Sequence, residues 1–396
     1  MEQWKKNLYV LWFGTFVAAV SFSLVTPFLP LFLKEELKVI NNIEIWAGLL
    51  VSASFVTSAI MSPIWGALAD RYGRKIMIIR SGLGIGLTYI LSAFVHNIYL
   101  FLFLRILMGT LSGFIPSSIA LVATNTPEKE ISRSLGILQT GIAAGGVTGP
   151  LLGGLLSYWF GIRESIFIGG VVILLGTILV IFGVKETAVC STEKTNILRD
   201  LKIGFSNRQL MISLLILMGV QAGMNMIQPI LPLYIEKISP IGMDISLVTG
   251  IAFSLIGIAT ILAAPRWSAK AEEIGFKTVL ILGLFGGAIL NLFQLLYANV
   301  YLFCSLRFIF GVSIAGVIPA LNSMIAKSVD VNFRGRAFGI SNSFNQFGLA
   351  AGPVLGGVIG KIGGLKSPFI VASVIFMLAA VYINADKRRK VELKVI

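Results

Sequence analysis

Few residues in this chain of 396 can do ionic or acid–base chemistry, because only 13% are charged while 56% are apolar. The densest group is Gly66-Ala67-Leu68-Ala69-Asp70-Arg71-Tyr72-Gly73-Arg74-Lys75, wedged between two long apolar runs. Its carboxylate can bind a proton or the positive end of a helix, and Arg71, Arg74 and Lys75 suit a surface of anionic headgroups. Arg105 lies about eight residues, roughly 12 Å by helix rise, inside a fourth apolar run. A cation at that depth faces protein or water rather than lipid and marks a functional candidate. Amides form two stripes. Gln221, Asn225 and Gln228 fall at i, i+4 and i+7, while Asn342, Asn345 and Gln346 fall at i, i+3 and i+4, each set on one helical face. With Gln139 and the aromatics Phe22, Phe253 and Phe344 they outline a candidate cavity of amides and rings. Such a lining suits amphipathic organic compounds of varied shape better than one sugar or one anion. All eighteen Asp and Glu lie in loops or within a few residues of a run's end. None of them therefore lies at mid-membrane. Cys190 and Cys304 lie far apart and His96 is the single histidine, so neither a disulfide framework nor a metal site is implied.

The elements that must position these residues are membrane-spanning helices. Mean hydropathy is +0.89, and soluble globules carry near 25% charged residues. Twelve apolar runs are predicted at about 8–33, 45–69, 76–95, 98–123, 132–160, 164–184, 209–235, 246–269, 277–296, 300–326, 336–360 and 367–385, each long enough for a hydrocarbon core of about 30 Å. The first run follows Lys5 and Lys6 and continues past signal-peptide length without a small-residue cleavage site, so it reads as an uncleaved span. An even number of spans puts both termini on one side. With the termini inside, 23 of the 32 Lys and Arg fall on inner segments, 6 on outer segments and 3 within spans, which places both termini in the cytoplasm. The net charge of +14 is therefore a topology signal and does not call for nucleic acid. The one long hydrophilic segment, 185–208, reads as a cytoplasmic linker between a domain at 1–184 and another at 209–396.

The two halves repeat at an offset of 202 or 203 residues. Pro27-Phe28-Leu29-Pro30 meets Pro229-Ile230-Leu231-Pro232, Arg105 meets Arg307, and Gly109 meets Gly311. Gly145-Gly146-Val147-Thr148-Gly149-Pro150-Leu151-Leu152-Gly153-Gly154 meets Gly348-Leu349-Ala350-Ala351-Gly352-Pro353-Val354-Leu355-Gly356-Gly357. This predicts an all-α membrane protein of twelve helices in two pseudo-symmetric six-helix bundles, related by an axis along the membrane normal. The second copy of the charged decapeptide is eroded: Ser268, Glu272, Gly275 and Lys277 stand for Gly66, Asp70, Gly73 and Lys75, but Phe276 replaces Arg74. In the fifth and eleventh spans the glycines bare one helical face to a neighbouring backbone, and Pro150 and Pro353 permit a bend.

The decapeptide fills every position of the loop between helices 2 and 3 of the major facilitator superfamily, Gly-x-Leu-Ala-Asp-Arg-x-Gly-Arg-Lys. The Arg-x-x-x-Gly of the fourth span and the Gly-x-x-x-Gly-Pro-x-x-Gly-Gly of the fifth resemble that superfamily's fourth-helix and antiporter signatures. The whole chain is similar to its twelve-span bacterial drug:proton antiporters. The resemblance implies a secondary transporter of the inner membrane that exports small lipophilic compounds by alternating access, with a proton gradient and no cofactor as its energy source. It also implies a monomer with the bilayer and its small-molecule cargo as partners. A sugar or another metabolite remains the alternative cargo. In the family the decapeptide serves as an intracellular gate, which assigns that part to Gly66, Asp70, Arg71, Gly73, Arg74 and Lys75. Asp70 is expected to meet the helix start near Gly335 and Arg336 when the cytoplasmic side is shut. Arg105 takes a part in proton coupling. Many such exporters carry a buried carboxylate as proton carrier, and this chain departs from them there, so the resemblance leaves coupling either to groups nearer the surface, such as Asp70, Glu44 or Glu272, or open. Nothing points to an enzyme: the sequence has no nucleotide-binding glycine loop with its lysine, no His/Glu metal set and no nucleophile beside a base.

Overall fold

The computed structural model describes residues 2–186, 207–296, 298–330 and 333–385. The predicted linker at 185–208 therefore lies almost wholly outside the described residues, as does Cys190. In hydrocarbon no water satisfies backbone N–H and C=O groups, so a chain of this composition closes its hydrogen bonds inside helices. Every regular element described is helical. Eight spans are single helices: α3 (Ile43–Tyr72), α4 (Arg74–Ala93), α7 (Ile131–Phe160), α8 (Ile162–Gly183), α11 (Ile245–Ile274), α12 (Phe276–Phe293), α15 (Arg334–Gly363) and α16 (Ser367–Ala385).

The other four spans are broken, where continuous helices were expected. The first runs as α1 (Gln3–Val25), a 3₁₀ turn and α2 (Leu29–Glu35), and the seventh as α9 (Arg208–Met226) and α10 (Leu231–Ile238). The causes are Pro27 and Pro30 in one and Pro229 and Pro232 in the other, which remove ladder donors. The fourth span divides into α5 (Ile98–Leu111) and α6 (Phe114–Asn125), with Gly113 between them at φ +134°. The tenth divides into α13 (Val300–Ile314) and α14 (Val317–Lys327). Eleven of the spans are long and apolar enough to cross a membrane by composition; α15, which carries two arginines and the amide stripe, is as long as α3 but outside that set.

The connections follow the repeat too. Gly73, Gly161, Gly275 and Gly364 adopt φ between +83° and +101° at the tight turns that follow α3, α7, α11 and α15. The chain packs as two compact units, one of Met1–Lys194 with Gly242–Ser254 and one of Thr195–Ile241 with Leu255–Ile396. In the first, α1 lies between α7 and α8, α4 lies on α8, and α3 on α5. Its core includes Phe28, Phe32, Tyr89, Phe101 and Leu104. In the second, α9 packs on α15 and α16 and α12 on α16, around Leu214, Leu280, Phe310 and Phe376.

Candidate functional site

The predicted gate loop contracts to one residue, since α3 runs on through Asp70 and Arg71 to Tyr72 and only Gly73 separates it from α4. Asp70, with half its side chain exposed, pairs with Arg74 Nη2 at 3.0 Å, one helical turn on. Arg74 is otherwise turned inward: 13% of its side chain is exposed, and Nη1 donates to Thr124 Oγ1 at 3.1 Å. Lys75 Nζ donates to the Ile181 carbonyl at 2.8 Å, near the end of α8. Both cations were expected to face headgroups. They instead donate to acceptors within the first unit, while Arg71 lies over the ring of Tyr72 at 5.2 Å.

Glu186, which the sequence reading passed over, organises this corner. Its two carboxylate oxygens accept the backbone N–H groups of Arg74 and Lys75, each at 2.9 Å, so it caps the exposed amides that begin α4. A Cβ on Gly73 would come 2.9 Å from Glu186 Oε2, and the φ of +97° there already favours glycine. The signal in the sequence was only an acidic residue just beyond the sixth span. Gly66 has open space around it. Arg336, at the start of α15, is exposed and holds its guanidinium 6.0 Å from the Phe333 ring.

Arg105 is buried on α5, with 2% of its surface exposed. Its guanidinium carbon sits 5.1 Å from the Phe101 ring and 5.7 Å from that of Tyr89, and Nη1 reaches Met108 Sδ at 4.0 Å. Nε and Nη2 have no hydrogen-bond partner, and neither has the Tyr89 hydroxyl. Arg307 is equally buried, over Phe303 at 5.9 Å.

Arg80, the one charge near the start of the third run in the sequence, was given no role there. Arg80 of α4 stacks on Trp65 of α3 with its guanidinium carbon 3.4 Å from the ring centroid, and Nη2 donates to the Ser112 carbonyl at 3.0 Å. Trp65 Nε1 donates to the Thr110 carbonyl at 2.6 Å. Both therefore grip the carbonyl end of α5 at the break in the fourth span. Trp267 repeats the tryptophan bond in the second unit, to the Val312 carbonyl at 2.7 Å, but Leu282 stands where Arg80 would be.

The antiporter-type glycines are contact surfaces. A Cβ on Gly145, Gly149 or Gly153 would collide with the backbone of α1 or with Ser23, and Ser23 Oγ donates to the Gly145 carbonyl at 3.1 Å. Gly348, Gly352 and Gly356 meet the backbone of α9 in the same way. Gly154 faces the backbone of Ser246 and Gly250 inside the first unit. Pro150 and Pro353 lie inside α7 and α15 without breaking them.

Of the amides, Gln221 Nε2 donates to Asn345 Oδ1, joining α9 to α15. Asn225 Nδ2 turns back to the Gln221 carbonyl at 2.8 Å, and Gln228 Oε1 is buried without a partner. Asn342 and Gln139 are exposed, and Gln346 is half-buried. Phe344 packs on the core of the second unit, Phe22 meets Phe55 edge to face at 5.6 Å, and Phe253 is half-buried. Beside Gln139, Thr140 accepts the Trp12 indole N–H at 2.9 Å, and Trp12 stacks with Phe16 at 6.0 Å, which adds aromatics the spacing argument missed.

Comparison with known proteins agrees with this architecture. The family profile described as Major Facilitator Superfamily matches residues 11–248 and 213–394. The chain is 35% identical over 397 residues to the multidrug resistance protein MdtG of Escherichia fergusonii, covering 99% of this chain and 97% of that one. It is 35% identical over 396 residues to the MdtG of Salmonella typhimurium, covering 99% and 98%. Among solved structures, the nucleoside transporter NupG superposes with a TM-score of 0.79 at 12% identity, over 97% of this chain and 99% of that one. A bacterial homologue of the human lysosomal transporter Spinster, inward-facing and unoccupied, also gives 0.79, at 14% identity over 97% and 96%. At such identities the two structures speak to the fold.

Proposed function

The chain belongs to the Major Facilitator Superfamily, and from that premise we propose that it exports small lipophilic and amphipathic compounds by alternating access, in exchange for protons. It is a multi-pass secondary transporter of the bacterial membrane and not an enzyme. The observation that carries the export reading is full-length similarity to proteins named for multidrug resistance. The glycine-proline signature in both α7 and α15 supports it.

In this reading the domains are 1–184 and 209–396, joined by a cytoplasmic linker, and both termini lie in the cytoplasm. Asp70 is the switch of the cytoplasmic gate, with Gly66, Arg71, Gly73, Arg74, Lys75 and Arg336 as its frame. Its exposed carboxylate can exchange Arg74 for a proton, whereas Glu186 keeps the start of α4 in place. Glu44 and Glu272 are the other surface carboxylates that could carry the proton. Arg105 acts in coupling, and the stripes of Gln221, Asn225, Gln228, Asn342, Asn345 and Gln346, with Gln139, Phe22, Phe253 and Phe344, line the cargo path. The transporter works as a monomer.

Inverted membrane vesicles from an efflux-deficient host, energised to acidify their interior, test the proposal. Accumulation of a lipophilic dye that collapses with an uncoupler is the expected result. Uptake of a sugar with no movement of any dye would replace the multidrug reading with metabolite export.

A further inference from the structure

We propose that Arg105 and Tyr89 form a binding site for one anion, a carboxylate or comparable oxyanion; the inference rests on the transport reading above and names a ligand class for it. A guanidinium keeps its proton, so Arg105 carries its charge into the interior of the first unit. Such a charge is tolerated only with a counter-charge and filled hydrogen bonds. Neither is present. Nε and Nη2 lack acceptors, the contact to Met108 Sδ at 4.0 Å is weak, and no described carboxylate pairs with the group. The whole sequence offers no mid-span Asp or Glu. Among the described residues the counter-charge is absent, and the proposal assigns it to a ligand.

The chemistry of that ligand follows from the donors. Two guanidinium N–H groups match two oxygens of a carboxylate, and the Tyr89 hydroxyl, itself 1% exposed and beside the guanidinium, supplies a third bond. The rings of Phe101 and Tyr89 form apolar walls. Met108 Sδ touches the third nitrogen, Nη1, and leaves the Nε–Nη2 edge to the anion. The repeat provides an internal comparison. Arg307 and Phe303 stand for Arg105 and Phe101, but Asn291 stands for Tyr89 and Phe310 for Met108. The second copy thus lacks the phenol donor, so the anion site belongs to the first.

Equilibrium binding of radiolabelled benzoate to the purified full chain, with benzamide as neutral isostere and chloride as a competing inorganic anion, tests this. Saturable benzoate binding is expected, weaker by about tenfold or more in Arg105→Gln and by several-fold in Tyr89→Phe, with no benzamide binding. Tyr89→Phe removes one hydroxyl and keeps the ring and the Arg105 charge, so it remains informative if Arg105→Gln fails to fold. Displacement of benzoate by chloride would identify the medium as the source of the anion; failure to displace would assign the acid group to the cargo. Equal binding of benzoate and benzamide, or benzoate binding unchanged in both variants, would overturn the proposal. Dye export in vesicles separates the two readings. Normal export without benzoate discrimination removes only the anion site, and benzoate binding without any export removes only the multidrug reading.

Discussion

Asp70 and Glu186 both act near the turn at Gly73, yet their surroundings assign them opposite duties. The Asp70–Arg74 pair is half in solvent, and such pairs are worth at most about 1 kcal/mol. Asp70→Asn is therefore expected to leave the melting temperature in detergent almost unchanged while export falls several-fold. Glu186 holds two backbone amides at a helix start, so Glu186→Gln should cost about 1–3 kcal/mol and lower the melting temperature. A reversed pattern in thermal melts of the two purified variants would refute the division of labour.

At the scale of elements, the same glycine-rich motif contains residues that must be glycine and one that need not be. Gly145 lies against the backbone of α1, which cannot yield, whereas Gly146 has open space. Gly145→Ala should lose about 1–3 kcal/mol through overpacking, and Gly146→Ala should fold and transport normally. Similar losses in both would show that helix propensity, not contact, governs the motif. The break in the fourth span offers a second test. Arg80 and Trp65 hold the carbonyls of Thr110 and Ser112 just before Gly113. With Arg80→Gln the end of α5 loses a charged donor. Spin labels on α5 and α6 should then report a broader distance distribution and export should slow; an unchanged distribution would refute the clamp.

For the whole molecule, the distribution of charge makes an orientation that can be read directly. Fusions of alkaline phosphatase after the described end of α16 should be inactive, while fusions in the segment between α4 and α5 should be active, if both termini are cytoplasmic. The bond from Gln221 to Asn345 joins α9 to α15, so two roles compete for it. Alanine at each position is expected to change the ranking of exported compounds with normal membrane expression. Uniform loss across all compounds together with poor expression would make the bond structural.

The twelve spans, their repeat and the turns at Gly73 and Gly275 were legible in the sequence because they rest on local rules. A bilayer demands helices of a set length, and a reversal of φ demands glycine. The breaks at Pro27 and Pro229 were legible as motifs though not as breaks. What neighbours a side chain has was not legible, since that depends on which residues distant in the chain arrive together. Glu186 reaches the start of α4 across more than a hundred residues, and Arg80 finds Trp65 only because α3 and α4 lie side by side. Arg74 and Lys75 look like headgroup cations by position and become internal donors by packing. Arg105 shows both limits: its depth followed from counting residues, but tertiary structure alone decided that Tyr89, Phe101 and Met108 surround it and that no carboxylate does.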